Sequence, residues 1–95
     1  HYHQGVDQNG ELVLPPRGFV KLNVDASFHV DDRLGATAEI LRDASGISIA
    51  ADVDYPNAAD AMTVEAMAMR DGLYLANSLG FNRVEAESDS LNVVN

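Results

Sequence analysis

Hydrophobic and polar residues alternate strictly from Val20 to His29. Val20, Leu22, Val24, Ala26 and Phe28 stand against Lys21, Asn23, Asp25, Ser27 and His29, the pattern of a strand with one apolar face. The spacing predicts a first strand over about 19–30, a polar turn at Asp31-Asp32-Arg33, and a second strand over 35–43 whose faces are less cleanly separated. Ala44-Ser45-Gly46 predicts a hairpin turn with Gly46 at positive φ, and Ile47, Ile49, Ala51 and Val53 mark a third strand. Three strands joined by short turns make an antiparallel meander. From Asp60 the period lengthens to that of a helix ending near Ser78, with Asp60 as its N-cap and Gly80 just past its end. At ~100° per residue, Met62, Ala66, Met69, Leu73, Ala76 and Leu79 gather on one face together with Glu65 and Gly72. A glycine there implies close approach of the helix to the sheet. Strand character returns over 81–88, and Asp89-Ser90 predicts the cap of another helix opening in LNVVN. A strand, a helix and a strand in this order form a right-handed crossover, so the fourth strand is expected beside the first and parallel to it.

A chain of 95 residues buries one modest core, so a single domain over 17–95 is expected, led by an extended segment over 1–16 that ends in Leu14-Pro15-Pro16. With 46% hydrophobic and 22% charged residues the composition is that of a globular rather than a disordered chain. Six basic residues against fifteen acidic ones give a net charge of -9, which weakens non-specific attraction to nucleic acid or an anionic membrane. A polyanionic partner therefore has to be held by a metal ion or by basic residues elsewhere. The absence of cysteine excludes disulfides and thiolate zinc sites. No apolar run nears the ~18 residues of a membrane span, and an intracellular setting, nuclear or cytoplasmic, is expected. His1 and His3 are read as incidental. Asp52, Asp54, Asn57 and Asp60 invite a calcium-loop reading, which fails because Pro56 falls at the fifth position, Asn57 where the glycine is needed and Thr63 at the bidentate glutamate.

Three carboxylates remain. Asp25 sits mid-strand, Glu65 on the sheet-facing side of the predicted helix, and Asp89 at the carboxyl end of the fourth strand, where ligands gather in open α/β sheets. Each has a plain structural reading: a loop-bonded acid, a stripe-margin residue, a helix cap. Converging, the three would repel one another unless a cation neutralised them. All-oxygen ligation favours Mg²⁺ or Mn²⁺.

The stretches LPPRGFVKLNVDASF (14–28), ILRDASG (40–46), EAMAMRDGL (65–73) and ESDS (87–90), in this order, resemble the ribonuclease H-like domains of the plant reverse-transcriptase-associated type. The resemblance covers about 14–95. It implies a mixed sheet with three antiparallel strands, a crossover helix and a fourth strand parallel to the first. It also implies metal-dependent hydrolysis of the RNA strand of RNA–DNA hybrids, with Asp25, Glu65 and Asp89 as catalytic metal ligands, two Mg²⁺ or Mn²⁺ ions in the complete site, and recognition of the hybrid by shape and 2′-hydroxyls. Asn23, Ser27 and Ser90 would lend polar contacts. Two departures stand out: the family's last strand, later helices and final catalytic aspartate fall beyond Asn95, and Glu39 occupies a second-strand position that is often apolar. The alternative is a non-catalytic module of the same fold that binds nucleic acid or protein, or a second copy of itself, at the uncovered sheet edge.

Overall fold

The computed structural model describes residues 14–89 and 92–94. Its elements run β1 (Val20–His29), β2 (Leu34–Arg42), β3 (Ser48–Asp54), α1 (Ala61–Ser78), β4 (Val84–Ser88) and β5 (Asn92–Val94). The sheet order is β3-β2-β1-β4. β2 runs antiparallel to β1 and β3, whereas β4 runs parallel to β1, as the meander and crossover require.

Local chemistry sets the element ends. Asp43 Oδ1 accepts from the amides of Ser45 and Ile47 at 2.9 and 3.0 Å, and Gly46 closes that turn at φ 84°. At the start of α1, Asp60 Oδ1 accepts from the hydroxyl and the amide of Thr63 at 2.7 and 2.8 Å. Those two bonds hold its carboxyl below the usual range. Gly80, at φ 86°, follows the helix end as expected.

The helix turns a different face to the sheet than its hydropathy predicts. Val64, Ala68, Gly72 and Ala76 are buried, while Met62, Leu73 and Leu79 are 79%, 44% and 48% exposed. Of the expected face, Gly72 and Ala76 are buried and Glu65 and Met69 are partly buried. The reason is size. Small residues at four-residue steps let the helix sit close on the strands, and a Cβ on Gly72 would lie 2.8 Å from both Leu22 methyls. Gly35 of β2 likewise receives Val64, whose methyls lie 2.9 Å from where a Cβ would stand. Hydropathy weighs transfer from water and is blind to this fit. Between the layers lie Val20, Leu22, Val24, Ala26 and Phe28 from β1 and Leu41 from β2.

The helix expected after Asp89 is also corrected, because Asn92–Val94 form β5. Ser27, Phe28 and His29 pair with it in parallel, along the β1 edge that β4 leaves open. β-branched Val93 suits an extended segment that satisfies this edge. Ser90, His1 and His3 lie outside the described residues. Among the described residues no helix is long and apolar enough to cross a membrane.

Candidate functional site

The parallel register of β1 and β4 builds the site. Val20 stands opposite Val84, and the pairing continues to Val24 and Ser88. One step on, the Asp89 amide donates to the Val24 carbonyl at 2.9 Å, so Asp25 and Asp89 are neighbours on adjacent strands. Alternation along β1 sends Leu22 and Val24 to the helix and Lys21, Asn23, Asp25 and Ser27 to the opposite face. Asp25 and Asp89 are both exposed there. Asp25 Oδ1 accepts from the Ala26 amide at 3.0 Å, and beside it a shallow pocket of about 240 Å³ is lined in part by Ser27, Ala38, Val53 and Tyr55.

Glu65 enters from the other layer. It follows Val64, which fills the space over Gly35, and Gly35 pairs with Phe28 near the carboxyl end of β1. Glu65 is thus half-buried at the same end of the sheet as the two aspartates, on the helix side. The structure brings Asp25 and Asp89 together and keeps Glu65 in the helix layer. The donors are all carboxylate oxygens, the type a hard divalent ion takes. Their number falls short, since among the described residues no three His, Asp or Glu side chains are grouped to hold an ion.

Sequence reasoning passed over Lys21 and Glu87, which stand behind the aspartates. Lys21 Nζ lies 2.7 Å from Glu87 Oε1 with both side chains fully buried, and Asn23 Nδ2 donates to Glu87 Oε2 at 3.4 Å. These contacts tie β1 to β4 immediately before Asp25 and Asp89. The signal was present as two parallel series, Lys21-x-Asn23-x-Asp25 and Glu85-x-Glu87-x-Asp89, which place charged and polar partners on one face at matching steps.

On the opposite face Glu39 is fully buried beneath the helix, its Cγ 3.2 Å from where a Gly72 Cβ would stand. Burial, then the nearby carboxylates of Asp52, Asp71 and Asp54, push its carboxyl up to about 7, against a small opposing effect of the Thr37 hydroxyl. Neither Glu39 oxygen nor the Thr37 hydroxyl has a well-formed hydrogen bond.

Residues 23–95 match the model of the reverse transcriptase-like family. The chain belongs to that family. Its fold is that of a ribonuclease H-like domain: the solved structure of RNase H1 from the halophilic archaeon Halobacterium salinarum NRC-1 superposes with a TM-score of 0.70 at 24% identity. The match takes in 76% of this chain and 55% of that one, so the chain spans little more than half of the archaeal protein's length. At that identity the likeness is one of fold. No curated protein matches the chain.

Proposed function

We propose that this chain carries part of a ribonuclease H-type site that hydrolyses the RNA strand of RNA–DNA hybrids in the presence of Mg²⁺ or Mn²⁺. The observation that carries the reading is the placement of Asp89, one step past β4, beside Asp25 of β1, where the Asp89 amide donates to the Val24 carbonyl, supported by family membership. Asp25 and Asp89 are the proposed metal ligands on the strands, and Glu65 the third, from α1. Because the described residues gather only two of these carboxylates in one place, no reaction step is assigned to an ion. The chain's own contribution is positional. Lys21, Glu87 and Asn23 lock the register of β1 and β4, which keeps the two aspartates abreast and open to solvent. Groove shape and 2′-hydroxyls, rather than base sequence, are the features such a surface reads.

The test uses the longest protein that contains this chain and a labelled RNA–DNA hybrid. Cleavage that requires Mg²⁺ or Mn²⁺ and falls to background in Asp25→Asn and in Asp89→Asn is the expected result. Cleavage in excess chelator, or full activity of Asp25→Asn, refutes it. A second reading, a non-catalytic binding module, draws on the lack of a three-ligand group among the described residues. Metal-independent hybrid binding without cleavage would favour it.

A further inference from the structure

The two halves of α1 are held to the sheet by different means. The first half is pinned: Asp60 caps it through Thr63, and Val64 fills the space over Gly35. In the second half the buried residues are Ala68, Gly72 and Ala76, with Met69 and Leu75 partly buried, while Leu73, Tyr74 and Leu79 are exposed. Methyl-sized contacts bury little apolar surface, and a glycine weakens a helix from within. The second half is therefore the part of α1 that opens at the lower cost.

Beneath that half lies Glu39, fully buried, with its Cγ 3.2 Å from where a Gly72 Cβ would stand. The carboxylates that bear on it are Asp52 and Asp54 from β3 and Asp71 from α1. The nearby cation of α1, Arg70, is largely exposed and lies 3.3 Å from Asp71. From β1 the side chains on this face are the apolar Leu22, Val24 and Ala26, and along β2 the neighbours are Thr37 and Leu41. Neither Glu39 oxygen nor the Thr37 hydroxyl has a well-formed hydrogen bond. A neutral carboxyl tolerates such a seat, whereas a carboxylate there is a buried charge without a cation.

We propose that Glu39 is a proton-operated latch on α1: protonated, it lets the second half of the helix lie on the sheet, and ionised, it drives that half to lift so that water reaches the carboxylate. Lifting uncovers Leu22 and Leu41, which are fully buried while the helix is seated. The first half, with Glu65, stays in place. The sign follows from the two forms of the carboxyl. Seated, Glu39 holds its proton up to about 7, against 4.5 when open to water. Opening between these values releases a proton, so it becomes more favourable as the pH rises through that window and levels off above it. The latch does not rest on the nuclease reading, because Glu39 and Asp25 lie on opposite faces of the sheet.

The experiment is residue-resolved amide hydrogen exchange on the chain and on Glu39→Gln, with the intrinsic pH dependence of exchange divided out. From about pH 5.5 to about pH 8, protection of the amides between Ala68 and Ala76 is expected to fall ~30-fold in the parent and to stay within ~2-fold in Glu39→Gln. Low urea concentrations separate local opening from global unfolding, because only the latter exposes enough surface to respond steeply. At about pH 8 the second-half amides should exchange faster than those of β1 and of Glu65, and with little response to urea. This contrast is read within the parent chain, so it stands even where Glu39→Gln does not fold. Second-half amides that share the rates and urea response of β1 would reduce the effect to global stability and overturn the latch. A flat pH profile in the parent would overturn it too, as would an unchanged fall in Glu39→Gln.

Discussion

Glu87 on β4 has its carboxylate 2.7 Å from Lys21 Nζ, whereas Glu39 on β2, equally buried, has neither oxygen hydrogen-bonded. The two stand on opposite faces of one sheet and show two ways of tolerating a buried acid. At Glu87 a lysine is buried beside the acid, and Asn23 adds a hydrogen bond to its other oxygen. At Glu39 burial first, and then the acids around it, disfavour the charge, which raises its carboxyl to about 7. The difference follows from neighbours rather than depth. Glu87 looks across at a lysine on a parallel strand, while Glu39 looks across at Asp52 and up at Asp71. The paired acid holds the strands that carry Asp25 and Asp89. The other sits closed off beneath the helix.

Removing one partner breaks the contrast most severely. Lys21→Met is expected to destabilise the fold by ~3–5 kcal/mol, because Glu87 is then buried without its cation. The double variant Lys21→Met/Glu87→Leu should recover most of that loss. Urea denaturation of the single and double variants decides the matter, and a mild single-variant effect would show that the pair contributes little.

Glu39→Gln tests the other arm. The folded-state value of about 7 lies above the ordinary 4.5, so between these the folded chain binds more protons than the unfolded one. Stability therefore falls as the pH rises through that window and stays reduced above it. Glutamine removes this dependence. At about pH 8 the variant should be more stable than the parent by up to ~3 kcal/mol, and below about pH 4.5 the difference should vanish. A pH series of denaturation midpoints measures both, and parallel curves for the two proteins would rule out a titrating Glu39.

The smallest effect is expected from Gly72→Ala. Alanine favours a helix by about 1 kcal/mol over glycine, but its Cβ would press on both Leu22 methyls and on Glu39. Leu22 is fully buried, and overpacking costs ~1–3 kcal/mol, so a net loss of ~1 kcal/mol is expected. The helix would also be pushed away from Glu39, which would lower its midpoint toward the ordinary value in an NMR titration. Net stabilisation with an unchanged midpoint would show that the helix has room to spare at Gly72.

Much of the fold was legible in the chain because it is written in local, repetitive terms. The alternation around Asp25, the Asp43–Gly46 turn, the Asp60 cap and the Gly80 stop all follow from interactions within a few residues, and each stands where the pattern put it. The candidate site was legible in part. Asp25 and Asp89 could be paired from strand order alone, while Lys21 and Glu87, 66 positions apart in the sequence, meet only through register. The helix face was misread because period and hydropathy carry no information about the space available beneath it. Gly72 was placed correctly against the sheet, but only packing shows that Ala68 belongs inside and Met62 outside.

By itself, then, the sequence determined the element order through β4, the family and the strand that bears Asp25. The tertiary structure decided which face of α1 is buried, that residues 92–94 pair with β1, and that Glu87 acquires a cation while Glu39 does not. The physical reason is one of range. Turns, caps and periodicity act between near neighbours along the chain, whereas steric fit and the field at a buried carboxyl are set by groups that the fold alone brings within a few ångströms.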